Sequence, residues 1–229
     1  MAQRKTAILL FSFSEQKEQQ RKTFFDKTDL HQLLVKRVKR TIALTGIDYF
    51  HFSDNEQVEG DFGTKFSDTI EKVYAKGYDA VITIGNDSPN LKASHILKAQ
   101  EALEKNEFVL GPSYDGGFYL MGLQKEFFKK SVFENFSWKT SEVASEIKNY
   151  IKEHFTAQIS LLQYLRDLDS HSDLEALLKT LSPSLSAIST VIQFILFKVK
   201  KWQYTYLNSS YSFFIEEFNY NKGSPLTSL

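Results

Sequence analysis

Residues 80–123 read AVITIGNDSPNLKASHILKAQEALEKNEFVLGPSYDGGFYLMGL, and this stretch decides the fold. An apolar β-type run, Ala80-Val-Ile-Thr-Ile84, breaks at Gly85-Asn-Asp87-Ser-Pro89. A helical segment follows from about Ser94 to Lys105, then a second strand, Phe108-Val-Leu-Gly111. The turn Pro112-Ser-Tyr-Asp115-Gly-Gly117 leads into a third strand, Phe118 to Leu123. Strands alternating with helices of this length predict βαβ units and a largely parallel sheet. Ligands of such sheets bind beyond the carboxyl ends of the strands. Both polar turns, at Asp87 and at Asp115, fall at or beside those ends, so a site is expected there.

Upstream, Thr6 to Phe11 is apolar enough for a central strand. The polar stretch Ser12 to Lys22 leaves its end. Asp26 or Thr28 is expected to cap a helix running to about Leu44. A strand over Asp48–Phe52, a loop over Gln57–Gly63 and a helix from about Lys65 to Lys76 complete this half. Downstream, a helical segment reaches about Phe133, and Thr140 or Ser141 is placed to cap a helix through His154. A short strand, Gln158 to Leu162, and a last helix to about Thr180 follow.

These elements form one domain over residues 1–181, with a change of character at Ser182-Pro-Ser. Residues 182–229 hold a helix over Ile188–Val199, apolar on nearly every side, and an aromatic tail. Such a helix cannot leave a whole face in water without cost. The first reading is that the tail folds back over it, the second a homodimer interface, the third contact with a membrane surface.

Composition narrows the function classes. Of 229 residues, 42% are hydrophobic and 24% charged, which predicts a globular chain. Lysine plus arginine equals aspartate plus glutamate, 28 each, so net charge gives no pointer to nucleic acid. The absence of cysteine removes disulfides, thiolate nucleophiles and thiolate metal ligands, and fits a reducing, cytoplasmic compartment. No segment approaches the ~20 apolar residues of a spanning helix. The N-terminal apolar run is short and lacks a small-residue cleavage site, so a strand is expected rather than a signal peptide.

Acidic residues at three places along the chain carry the candidate chemistry. Asp87, at a strand end, can hold Mg²⁺ or Mn²⁺ bridging phosphates, or it can form an Asx-type turn with Pro89 fixing the bend. Asp115 before Gly116-Gly117 is free to point into a cleft, but Asp-Gly between two apolar runs is foremost a hairpin signal. Asp167 and Asp169 alternate and share a side on an extended segment, so Asp169 can join Asp87 on one metal. Alternatively, Asp169 or Asp173 caps the next helix. The five histidines show no metal-ligand spacing and read as surface or helix residues. No Gly-x-Gly-x-x-Gly, phosphate-loop or serine-elbow motif occurs.

Taken together, the motifs are more specific. Gln57-x-x-Gly60-Asp-x-Gly63, Gly85-x-Asp87-x-Pro89, Gly111-Pro112-x-x-Asp115-Gly-Gly-Phe-Tyr-Leu, Trp138-x-Thr140 and Asp167-x-Asp169-x-x-x-Asp173 follow in one order at compact spacings. Over about residues 5 to 180 the chain resembles a bacterial family of GT-A-fold transferases, sometimes labelled radical-SAM/selenodomain-associated transferases. That family is distantly related to phospholactate and molybdopterin guanylyltransferases. The resemblance implies a three-layer α/β fold of nucleotide-diphospho-sugar transferase type, a nucleotide or nucleotide-sugar donor, an acceptor and a divalent cation, Mg²⁺ or Mn²⁺. It further implies Asp87 and Asp169 as metal ligands and matches Asp115-Gly116-Gly117 to the family's hallmark turn, where Asp115 is expected to orient the acceptor or take its proton. Lys22, Thr23, Gly85, Ser88, Pro89, Gly116, Gly117, Trp138 and Thr140 are implied to line the nucleotide and substrate site.

The chain departs from the family pattern in its first loop. Where the family carries a loop rich in Gly and Pro that ends in Lys-Thr-Arg, Ser12 to Phe25 has neither residue. Lys22-Thr23 matches the Lys-Thr pair, and Phe24 stands where the arginine would be. A loop without glycine brings its backbone to a pyrophosphate less readily. Metal-dependent glycosyl or nucleotidyl transfer is the leading expectation; the alternative is a nucleotide- or sugar-binding protein that kept the fold without turnover.

Overall fold

The computed structural model describes residues 4–22, 29–53 and 56–198. In chain order these form β1 (Thr6–Phe11), α1 (Glu15–Arg21), α2 (Leu30–Ala43), β2 (Tyr49–Phe52), α3 (Phe62–Ala75) and β3 (Ala80–Ile84). There follow α4 (Ala93–Glu104), β4 (Phe108–Pro112), β5 (Phe118–Gln124), α5 (Lys130–Phe133), α6 (Val143–His154), β6 (Ile159–Leu161) and α7 (His171–Leu178). A further helix, α8, spans residues 186–198.

The strands build a six-stranded sheet in the order β2-β1-β3-β5-β4-β6. β5 runs antiparallel to both β3 and β4, and every other neighbouring pair is parallel. The continuous apolar runs of β1 and β3 are those of central strands covered on both faces, and all their residues are buried. Alternation sorts their side chains. Ala7, Leu9 and Val81 face α3, α5 and α6 through Ile70, Phe133 and Ile147. Ile8, Leu10 and Ile82 face α2 and α4 through Val38, Ile42 and Ile96. The result is three layers with a core on each side of the sheet, the α/β architecture expected from the sequence.

Leu30 and Leu34 of α2, Leu174 and Leu177 of α7, and Ile188, Ile192 and Ile195 of α8 form a third apolar cluster. α8 thus buries one face against the domain while Phe194 and Phe197 stay exposed. The aromatic tail expected to cover it lies outside the described residues.

Several local expectations change. Residues 15–21, read as part of a polar connection, are helical. Glu15 and Glu18 lie in the first turn and Arg21 in the last, matching the helix dipole, with no Gly or Pro to stop the turn. α3 begins at Phe62 rather than near Lys65, because the Asp61 side chain accepts from the Thr64 amide at 2.8 Å. α7 is capped by Ser170, with Asp173 completing a capping box from the third helical position. His51 is neither a surface nor a helix residue; it is half-buried in β2 and bonds Ser12 Oγ at 2.8 Å. The N-cap of α2 is Asp29; Asp26 and Thr28 lie outside the described residues.

Candidate functional site

The chain leaves β1 for β2 on one side and returns to β3 on the other, so the strand order reverses between β1 and β3. At such a switch point the connections diverge and leave a crevice beyond the strand ends. Here the crevice is a cleft of about 180 Å³ whose floor is Ser12 from β1's end and Gly85, Asn86 and Asp87 from β3's end. Phe13, Phe62 and Phe118 supply an apolar wall, while Arg21 and Lys139 bring positive charge to the rim. Asn86 is buried, and its Nδ2 has no hydrogen-bond partner among the described residues.

The wall is braced from behind. Phe62 and Phe66 pack on Trp138 at ring-centroid distances of 5.2 and 5.0 Å, and Trp138 Nε1 donates to the Phe133 carbonyl at 2.7 Å. Gly63 allows this approach, since a Cβ there would sit 2.2 Å from the Glu134 carbonyl oxygen and 2.7 Å from the indole. Lys139 follows with φ of 63°, a left-handed conformation that is costly for a side-chain-bearing residue. Burial, reinforced by the positive charges of Arg21, Lys17 and Lys65, lowers its pKa.

A second set of groups sits beside Asp87. Lys22, at the C-terminal end of α1, places Nζ 2.7 Å from Asp87 Oδ2, 3.0 Å from Asp169 Oδ1 and 2.8 Å from the Leu168 carbonyl oxygen. Glu18 Oε2 is 3.7 Å away. Burial works against this ammonium, but the charges of Asp87, Asp169 and Glu18 outweigh it and hold its pKa above the usual lysine range. Burial, together with the charge of Asp87, raises the pKa of Glu18.

The segment carrying Asp169 is anchored to the turn after β3. Leu168 N donates to the Asp87 carbonyl at 3.0 Å, and Ser88 Oγ donates to Asp167 Oδ1. Desolvation pushes the Asp167 carboxyl up to about 7; the Ser88 bond opposes this, and the charges of Asp87, Asp115 and Asp169 add to it.

Asp115 closes the β4–β5 hairpin. Its Oδ1 accepts from the Gly117 amide at 3.0 Å and from Ser113 Oγ, which is the Asx-type arrangement of a turn. Gly116 has φ of +90°, and a Cβ there would meet the Ser141 carbonyl oxygen at 2.5 Å, so the hairpin tip presses on the loop after Trp138. Thr140 Oγ1 donates to the Ser137 carbonyl and accepts from the Glu142 amide, shaping that loop.

The structure therefore brings Asp87, Asp169, Lys22, Ser88 and Gly85 to one edge of the sheet. Asp87 and Gly85 line the cleft, whereas Asp115, Gly116, Gly117, Trp138 and Thr140 are not among its lining residues. Pro89 is buried behind the turn, and Thr23 lies outside the described residues. Sequence reasoning passed over Glu18, Arg21, Asn86 and Lys139. Of these, Glu18 and Arg21 were legible only had the glycine-free stretch been read as a helix.

The residues present do not fit a divalent ion between Asp87 and Asp169. An ion held ~2.0–2.6 Å from both Asp87 Oδ2 and Asp169 Oδ1, the oxygens that face each other, would fall where Lys22 Nζ lies; Asp87 Oδ1 is buried without a hydrogen-bond partner among the described residues. Among the described residues, no three His, Asp or Glu side chains come together as a metal site.

Comparison with known proteins agrees with the architecture. Residues 18–140 match the profile of a family described as uncharacterized protein conserved in bacteria, DUF2064. A structure from Desulfovibrio desulfuricans G20, provisionally named a nucleotide-diphospho-sugar transferase, superposes with a TM-score of 0.72 at 21% identity, over 84% of this chain and 98% of that one. Rv0371c from Mycobacterium tuberculosis H37Rv superposes at 0.51 with 10% identity, over 78% of this chain and 100% of its own. A manganese complex of Rv0371c scores 0.48 at 9% identity, over 77% of this chain and 100% of its own. No curated protein matches the chain. The first likeness establishes the nucleotide-diphospho-sugar transferase fold.

Proposed function

The chain belongs to the bacterial family DUF2064, and from that premise we propose that it transfers a glycosyl or nucleotidyl group from a nucleotide-activated donor to an acceptor. The observation that carries this reading is the cleft at the switch point between β1 and β3, walled by aromatics and rimmed by Arg21 and Lys139. A nucleobase stacks against phenylalanine faces such as Phe13 and Phe62. The unpartnered Asn86 amide offers a donor to the base or ribose. Arg21 and Lys139 meet the phosphates, and positive charge fixed in advance stabilises the negative charge that develops on a phosphate leaving group.

Asp115, at the tip beside the late acidic segment, orients the acceptor in this reading. Neither a divalent cation at the Asp87–Asp169 pair nor any step through one forms part of it. Among the described residues no helix is long and apolar enough to cross a membrane; a cytoplasmic setting fits the cysteine-free composition.

A second reading is favoured by two contacts: Lys22 already pairs with both carboxylates, and Asp115 is engaged in its own turn. A protein built this way binds a nucleotide ligand without turning it over. Both readings are tested by thermal unfolding with nucleoside triphosphates and nucleotide sugars. A ligand at a hundred times its Kd adds about 2.7 kcal/mol of stability. Stabilisation followed by release of a nucleoside mono- or diphosphate, or of pyrophosphate, supports transfer. Stabilisation without any release supports the binding protein, and the absence of stabilisation by any nucleotide overturns both.

A further inference from the structure

We infer that the Lys22 ammonium is a resident cation of this chain, standing between Asp87 and Asp169 where a divalent ion would otherwise bridge them, so that the site takes its anionic ligand without Mg²⁺ or Mn²⁺. The part concerning the ligand rests on the proposed function; the part concerning the cation rests on geometry alone. Nζ makes contacts of 2.7 and 3.0 Å to the two carboxylates and 2.8 Å to the Leu168 carbonyl. Its side chain is only 4% exposed, and Glu18 backs it at 3.7 Å. The ammonium donates to Asp87 Oδ2 and the Leu168 carbonyl and ion-pairs with Asp169, so it already has polar partners in this buried position. A chelated metal would have to displace this group from a buried position and leave a like charge beside itself.

The feature that delivers the lysine is the same one that departs from the glycine-rich pattern. Because residues 15–21 are helical, Lys22 projects from the end of a rigid element. The helix terminus also carries partial negative charge that favours a cation there. Arg21, the neighbouring residue, pairs with Glu18 at 2.8 Å and lines the cleft, so one helix end serves both the carboxylates and the ligand space.

The experiment is Mn²⁺ titration of the full-length protein, without nucleotide, followed by electron paramagnetic resonance, on the wild type, Lys22→Met and Asp169→Asn. The expected result is no wild-type site tighter than about 1 mM, no change in Asp169→Asn, and at least about tenfold tighter Mn²⁺ binding in Lys22→Met, where the carboxylates lose their counter-ion. A wild-type micromolar site that Asp169→Asn removes overturns the inference, and it does so even if Lys22→Met fails to fold. A folded Lys22→Met with unchanged Mn²⁺ affinity also overturns it. Nucleotide-induced stabilisation of the wild type is measured separately in EDTA. Loss of an otherwise present stabilisation there overturns the metal-free ligand claim, whereas no stabilisation under any condition defeats the proposed function and leaves the Mn²⁺ result to decide the cation.

Discussion

The hydroxyl of Ser88 donates to the carboxylate of Asp167 across seventy-nine residues of sequence. This bond, with the Leu168 amide on the Asp87 carbonyl, holds the late acidic segment against the turn after β3. Ser88→Ala leaves a desolvated acceptor unpaired and is expected to cost about 1–3 kcal/mol. It also removes the contact that opposes the rise of the Asp167 pKa, so that pKa should climb above its value of about 7. Denaturant unfolding and carboxyl-carbon NMR titration check the two parts. A carboxyl raised on folding favours the folded state at low pH and loses that advantage as pH rises through about 7. The alanine variant should therefore be hurt more at pH ~8 than at pH ~4.

Asp173 has the opposite sign. Burial pushes its pKa up, but the bonds from Ser170 and Arg166 prevail and hold it below the usual value. A depressed carboxyl stabilises above its unfolded pKa and loses that contribution as pH falls through the folded one. Asp173→Ala should lose about 1 kcal/mol at neutral pH by breaking the capping box. The difference from wild type should shrink below pH ~3. Urea unfolding at both pH values reads it.

The two glycines flanking the site edge should respond unequally. Gly116→Ala forces a side chain into a left-handed conformation and into Ser141, at an expected cost of about 1–3 kcal/mol. A Cβ on Gly85 meets nothing within 4 Å, so Gly85→Ala should leave the melting temperature almost unchanged. Calorimetry of the pair distinguishes them.

Lys139→Met removes a rim cation from the cleft. With a stabilising nucleotide identified, it should weaken binding by about 10- to 100-fold, the worth of one charge-assisted hydrogen bond. The unliganded protein should unfold at the same temperature or higher, because a repelled charge is gone. Isothermal titration against the wild type checks the first part. Equal affinity would take Lys139 out of the ligand contacts.

Deleting residues 183–229 strips α8 from Leu30, Leu34, Leu174 and Leu177. The remaining chain, the domain proposed from the sequence, should bind a hydrophobic dye and aggregate on concentration. A monodisperse truncated protein in analytical ultracentrifugation would show that α8 covers nothing essential.

Sequence legibility followed the range of the interactions. β1 and β3 announce themselves as unbroken apolar runs because burial on both faces leaves no alternation to confuse. Asp115-Gly116 announces a hairpin because its backbone demand is local, and the antiparallel β5 follows from it. The meeting of Lys22 with Asp87 and Asp169 spans 65 and 147 residues, and no local periodicity encodes it. α1 went unread for another reason: seven residues with one buried side chain, Glu18, carry no apolar stripe. Lys22 and the acids at 87 and 169 were each visible in the sequence; their meeting was not.

The close seat of Gly63 against Glu134 and Trp138 has a kinetic meaning. Phe62, Phe118 and Trp138 pack against the core cluster, so this part of the wall is expected to be formed before any ligand arrives and to need no closing motion of its own. Ligand entry then incurs little ordering entropy at that wall. Association should follow a single diffusive phase whose rate rises linearly with ligand concentration and does not saturate at an isomerisation limit.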